Sequence, residues 1–184
     1  MKFHRRRSAL AVGAAVTALM ACTGTAQACP SAPTPAATAG GMDTRLQVKY
    51  GSKCLTIANG SLRNGAHVVE GTCDSTALHQ VFTLRVGEAS GWELVAAHSG
   101  RCLTYRPSGR VGVVQDWCNG STAQRWTTQF LDGAEKNRLQ LRPVDAPNEC
   151  LSMGGTPAGQ EPTAYVVACF DNLPSQEWRL AFIN

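Results

Sequence analysis

The sequence predicts an all-β domain assembled from three copies of one unit, and three observations predict it. Cys54, Cys102 and Cys150 stand 48 residues apart, and each opens the same tripeptide: Cys54-Leu55-Thr56, Cys102-Leu103-Thr104 and Cys150-Leu151-Ser152. Each is followed 19, 16 or 19 residues later by a second cysteine, and then by a Gln-x-aromatic tag: Gln80-Val81-Phe82, Gln124-Arg125-Trp126 and Gln176-Glu177-Trp178. Between these landmarks lie short runs rich in β-branched and aromatic residues, punctuated by Asn59-Gly60, Asn64-Gly65, Asn119-Gly120 and Gly154-Gly155, which is strand-and-turn composition. Features recurring in one order three times are an internal repeat, with units at 44–90, 91–136 and 137–184. Nothing in the chain has the 3.6-residue periodicity of a long helix.

The first residues read as an export signal. Residues 1–7 (MKFHRRR) form a basic n-region, and Ser8–Met20 are thirteen small or apolar residues. That run is too short for a span of about 20 residues but suits a signal-peptide core. Two processing readings stand. Ala26-Gln27-Ala28 is an A-x-A cleavage site that makes 1–28 the signal and leaves Cys29 as an odd thiol. Leu19-Met20-Ala21-Cys22 resembles a lipobox, in which the signal is 1–21 and Cys22 carries the lipid. The first predicts a secreted protein, and the second one anchored at the outer face of the membrane. Residues 29–42 are rich in Pro, Ala and Gly and read as a semi-extended linker.

The folded part, 43–184, is electrically neutral. Of seventeen basic residues four (Lys2, Arg5, Arg6 and Arg7) lie in the signal, and the remaining thirteen face thirteen acidic ones. A basic footprint for nucleic acid is therefore excluded. In an exported protein the six cysteines of this part read as disulfides. The repeat selects one pairing, Cys54–Cys73, Cys102–Cys118 and Cys150–Cys169, each bridge closing a short loop worth about 3 kcal/mol. A metal site is not expected: no C-x₂-C occurs, and His67, His79 and His98 occupy different places in the repeat. Upstream of each first cysteine lies a strand-like run, Arg45–Tyr50, Trp92–Ala96 and Asn137–Arg142. Each tag continues as an alternating strand, clearest in Trp178-x-Leu180-x-Phe182, whose apolar side is expected to face inward.

Three Cys-Leu strands, three second cysteines and three Gln-x-aromatic tags in this span resemble the ricin B-type β-trefoil, also described as the (QxW)₃ or family 13 carbohydrate-binding fold. The resemblance covers the whole of 43–184. It implies about twelve strands, six in a closed barrel and six capping it as hairpins, about a pseudo-threefold axis. It implies further that Phe82, Trp126 and Trp178 pack the centre and that Gln80, Gln124 and Gln176 tie loops to the backbone. Phe82 departs from the usual Trp.

The family holds one sugar per repeat, on a carboxylate just after Cys-Leu, an aromatic two residues before the second Cys, and an Asn just before the tag. In this chain those positions are Thr56, Thr104 and Ser152; Gly71, Asp116 and Val167; and His79, Ala123 and Ser175. None carries the family's residue, so weak or atypical glycan binding is expected. The middle repeat retains most. Its cysteine spacing is shorter by three, so Trp117 is expected to replace the displaced aromatic, Asp116 to supply a carboxylate, and Thr104 and Tyr105, with Arg106, to line the same hollow. The competing reading half-buries Trp117 beside its disulfide. With no G-x-S-x-G or H-E-x-x-H, no catalytic residue, cofactor or metal is expected. The resemblance implies a secreted, non-catalytic, lectin-like protein whose partner is a glycan or polysaccharide. The substituted pocket positions favour an alternative, a secreted protein-interaction module (an inhibitor, or a subunit of an extracellular complex). Membrane contact is expected only if Cys22 is lipidated.

Overall fold

A computed structural model describes residues 40–87, 90–107, 112–132, 137–154 and 162–183. The expected signal, Cys22, Cys29 and all but the last three residues of the linker lie outside the described residues. The elements are β1 (Met42–Val48), β2 (Lys53–Ile57), β3 (Ala66–Thr72) and β4 (Phe82–Val86) in the first repeat. β5 (Trp92–Ala96), β6 (Arg101–Arg106), β7 (Gly112–Asp116) and β8 (Arg125–Phe130) make the second. β9 (Arg138–Pro143), β10 (Glu149–Met153), β11 (Ala164–Ala168) and β12 (Trp178–Phe182) make the third. The only helical elements among the described residues are single 3₁₀ turns, three of which end on the tag glutamines.

β1, β4, β5, β8, β9 and β12 pair antiparallel in a ring that closes between β12 and β1, so the barrel has no free edge. β2–β3, β6–β7 and β10–β11 are the three hairpins. This is the β-trefoil that the family resemblance implies. Barrel register fixes which residues are equivalent. Phe82 stands opposite Thr44 and Ala96, Trp126 opposite Trp92 and Pro143, and Trp178 opposite Leu139 and Val48. Arg45, Glu93 and Gln140 therefore occupy one equivalent position, a step inside these pairs.

The centre repeats three times. Phe82, Trp126 and Trp178 are fully buried, as are Leu55, Leu103 and Leu151 of the Cys-Leu pairs. A buried indole needs an acceptor for its N–H. Trp126 Nε1 donates to the Leu103 carbonyl at 3.1 Å and Trp178 Nε1 to that of Leu151 at 3.0 Å. Phe82 fills the same place with no N–H to satisfy.

A second layer is built from the tag glutamines, all buried. Each side-chain amide spans the second cysteine of its repeat. Gln80 donates to Thr72 O at 2.8 Å and accepts from Asp74 N at 2.9 Å. Gln124 donates to Trp117 O at 2.8 Å and accepts from Asn119 N at 2.8 Å. Gln176 donates to Ala168 O at 2.9 Å and accepts from Phe170 N at 2.8 Å. An amide offers a donor and an acceptor on one small, flat, uncharged group. The three disulfides close as the repeat predicts, with Cα–Cα separations of 5.0 Å in each.

One sequence expectation fails at a strand end. Trp178 is buried and Leu180 partly so, but Phe182 is 55% exposed. Its equivalents Val86 and Phe130, four residues past their own tag aromatics, are exposed at 73% and 70%. Each is still paired to one barrel neighbour (Val86 to Trp92, Phe130 to Leu139, Phe182 to Thr44) but lies past the end of its ladder to the other, and alternation alone buries nothing at the barrel rim.

Candidate functional site

The positions where a sugar-binding carboxylate is expected are turned inward. Thr56 and Thr104 are buried and donate back to the carbonyls of Cys54 and Cys102 at 2.9 and 3.0 Å. Both also accept from the tag amides, from Gln80 at 3.2 Å and from Gln124 at 3.1 Å. Ser152, fully buried, donates to Ser175 at 3.1 Å. The two threonine hydroxyls complete the glutamine layer, Ser152 bonds to Ser175 beside it, and all three residues are buried.

The hairpin ladders place the expected aromatic positions directly opposite the first cysteines: Gly71 faces Cys54, Asp116 faces Cys102 and Val167 faces Cys150. At Gly71 a Cβ would lie 2.4 Å from Thr56 Oγ1 and 3.1 Å from Gln80 Nε2, so a ring there is incompatible with the glutamine layer. The three-residue difference in the middle repeat lies wholly in its turn, since Ile57–Val68 and Tyr105–Val113 are the equivalent pairs. No aromatic is displaced. Trp117 holds the position of Thr72 and Ala168, one step along the strand from Asp116 and on the opposite face.

Trp117 is 64% exposed, not half-buried against its disulfide. Its backbone is fixed from both sides: its N–H donates to Asn64 Oδ1 at 2.6 Å and its carbonyl accepts from Gln124. The Arg101 guanidinium lies over the ring, 4.2 Å from its centroid, a cation–π contact that backs one face of the indole. At this cross-strand position the sibling repeats carry Lys53 opposite Thr72 and Glu149 opposite Ala168. Residue reading missed Arg101 and Asn64. Counting back one residue from each cysteine of the middle hairpin is the signal that finds Arg101.

The other three expected site residues do not join Trp117 at the surface. Tyr105 is buried in the core cluster and its hydroxyl donates to Glu149 Oε2 at 3.0 Å, tying the middle hairpin to the third repeat. Burial, with the Glu149 carboxylate beside it, pushes its phenol upward in pKa. Thr104 belongs to the glutamine layer. Asp116 is ion-paired with Arg106, which it meets through both Nε and Nη2, while its Oδ1 is buried and has no hydrogen-bond partner. Among the described residues no group of three or more His, Cys, Asp or Glu gathers as a metal would require. His79 and His98 meet only edge to face, 6.2 Å apart.

A closed six-stranded barrel under three hairpins, with a tag amide clamping each second cysteine, defines a β-trefoil of the Gln-x-Trp kind. The chain belongs to the ricin-type beta-trefoil lectin domain family, whose description matches residues 42–178. Among solved structures it is similar to ThreeFoil, a designed 3-fold symmetric protein, at 22% identity and a TM-score of 0.64, over 76% of this chain and 97% of that one. It is similar to the Polyporus squamosus lectin, solved with a human-type influenza-binding epitope, at 14% identity and a TM-score of 0.60, over 77% of this chain and 49% of that one. It is also similar to the hemolytic lectin CEL-III at 22% identity and a TM-score of 0.60, over 79% of this chain and 32% of that one. The chain thus spans nearly all of the first but half or less of the two lectins. A comparison of the sequence with curated proteins finds no match.

Proposed function

We propose that this protein is an exported, non-catalytic carbohydrate-binding module that docks on glycan through one atypical platform in its middle repeat. The observation that carries the reading is Trp117: a large ring, exposed, with its backbone held at both ends and one face backed by Arg101. A rigid aromatic surface of this kind suits the apolar face of a pyranose, and its fixed backbone reduces the ordering cost of binding. Family membership and similarity to two lectins support the glycan class. The burial of Thr56, Thr104 and Ser152 supports weak binding outside the family's usual pockets, because the charged acceptor of the family pattern is missing from all three repeats.

The test is a glycan array with the oxidised chain, followed by titration of any hit. Trp117→Ala is expected to weaken binding roughly tenfold, and silence on every glycan overturns the proposal. A second reading, a protein-interaction module, is favoured by Val86, Phe130 and Phe182, which place an exposed apolar residue at the same strand end in all three repeats. An array without hits, together with a secreted protein that co-purifies and is lost in Phe130→Asp, supports it. Mass measurement of the mature N-terminus separates cleavage before Cys29 from lipidation at Cys22.

A further inference from the structure

We infer that the middle repeat carries a second binding site, on the barrel wall beneath its disulfide, that takes a carboxylate-bearing sugar. The argument starts from the equivalent residues Arg45, Glu93 and Gln140. In the first repeat Arg45 Nη2 donates to the carbonyl of Ser75, two residues past Cys73, at 2.6 Å. In the third, Gln140 Nε2 donates to the carbonyl of Phe170, one residue past Cys169, at 3.1 Å. Each bond straps the loop after the second cysteine onto the barrel. A carboxylate cannot donate to a carbonyl. Glu93 instead turns to Arg85, accepting on Oε2 from Nε at 2.9 Å and Nη2 at 2.7 Å.

An open cleft of about 440 Å³ lies where that strap is missing, lined by Arg85, Glu93 and Arg125 on the barrel side and by Cys118, Asn119 and Gly120 on the loop side. The volume suits one or two sugar rings. Two guanidinium groups against one carboxylate leave the wall with a net positive charge. Glu93 occupies Arg85, whereas Arg125 Nε is buried and has no hydrogen-bond partner. An anionic group in the cleft gives Arg125 the acceptor it lacks, in charge-assisted hydrogen bonds. Val86, 73% exposed, supplies an apolar wall, and Asn119 supplies an amide for hydroxyls. A uronate combines these features: one carboxylate, several hydroxyls and a partly apolar ring.

This site is independent of the Trp117 platform, so the two fail separately. The oxidised full chain would be titrated by NMR or calorimetry with glucuronate, methyl glucoside and acetate. Glucuronate is expected to saturate with a Kd on the order of 1 mM, more tightly than either control. Arg125→Gln is expected to weaken it at least about tenfold, and Lys53→Ala, at the equivalent of Arg101 in the first repeat, to leave it unchanged. Glu93→Gln restores the donor present at Gln140, straps the 119–120 loop to the barrel, and is expected to abolish binding in a normally folded protein. Glucuronate binding no tighter than acetate or methyl glucoside overturns the inference, as does binding indifferent to Arg125→Gln in folded protein or lost in Lys53→Ala. Absence of neutral-glycan binding in the unmodified chain, with glucuronate bound, would instead overturn only the platform reading.

Discussion

Inside the molecule the three repeats are nearly interchangeable, and on its outside they share almost nothing. The tag aromatics, the Cys-Leu leucines, the glutamine amides and the disulfides recur with hydrogen bonds that agree to a few tenths of an ångström. One step outward, the cross-strand pairs beside each disulfide are Lys53 with Thr72, Arg101 with Trp117, and Glu149 with Ala168. The barrel-wall position carries Arg45, Glu93 and Gln140. The inner layer is constrained because each group there is buried and must be matched in volume and in hydrogen bonding. The hairpin positions meet water, so their chemistry varies without cost to the fold, whereas Glu93 and Gln140 of the barrel wall are buried and each keeps a partner of its own; a site arises where one repeat departs from its siblings.

That contrast fails if inner substitutions prove as mild as outer ones. Trp178→Ala should cost about 3–5 kcal/mol by urea unfolding, since it empties the centre and removes the donor to Leu151 O. Removing one bridge, as in Cys150→Ala/Cys169→Ala, should cost about 3 kcal/mol. The equivalent pairs in the other repeats should agree closely, because sequence separations of 19, 16 and 19 differ little on a logarithmic scale. Gln124→Leu should cost about 2 kcal/mol by leaving Asn119 N and Trp117 O without their partner. It should also loosen Trp117, seen as faster indole exchange or a shifted tryptophan fluorescence. Gln124→Leu that leaves the indole unchanged would mean that Arg101 and Asn64 suffice to hold the ring.

The inner layer was legible because packing writes itself into sequence as repetition. Cysteine spacing, Cys-Leu and Gln-x-aromatic each record a buried contact, and each recurs where that contact recurs. The site was legible only in part. Trp117 stands out as an aromatic beside a cysteine, but its neighbours were misread because β6 is buried at Cys102, Leu103, Thr104 and Tyr105 in succession. A hairpin strand pressed between the core, the glutamine layer and the next repeat has no wet face, and period-2 alternation says nothing of it. Phe182 failed in the opposite sense, an apolar alternate at the rim of the barrel, paired on one side only. The Glu93 cleft needs barrel register before Arg45, Glu93 and Gln140 can be recognised as equivalents, and no local motif carries that register.

The smallest expected effect concerns a contact between the first two repeats that has some of the strictness of the inner layer. His98 Nε2 lies 3.1 Å from the carbonyl of Ser61. A carbonyl only accepts, so the neutral ring carries its proton on Nε2. Nδ1 is buried and has no partner, so a second proton would sit there without an acceptor. Desolvation, set against the favourable Ser61 bond and aided by the charges of His79 and Arg101, holds the imidazole below its ordinary pKa of 6.5. The unfolded chain then takes up this proton at a higher pH than the folded one. The contribution to stability is complete above the unfolded value and is lost as pH falls through it toward the folded value. A small decline in Tm between about pH 7.5 and pH 5 is expected. It should flatten in His98→Gln, whose amide still donates to Ser61 but does not titrate. Equal slopes in the two proteins would show that His98 is solvated like any outer residue and that the contact between the first two repeats is not strict.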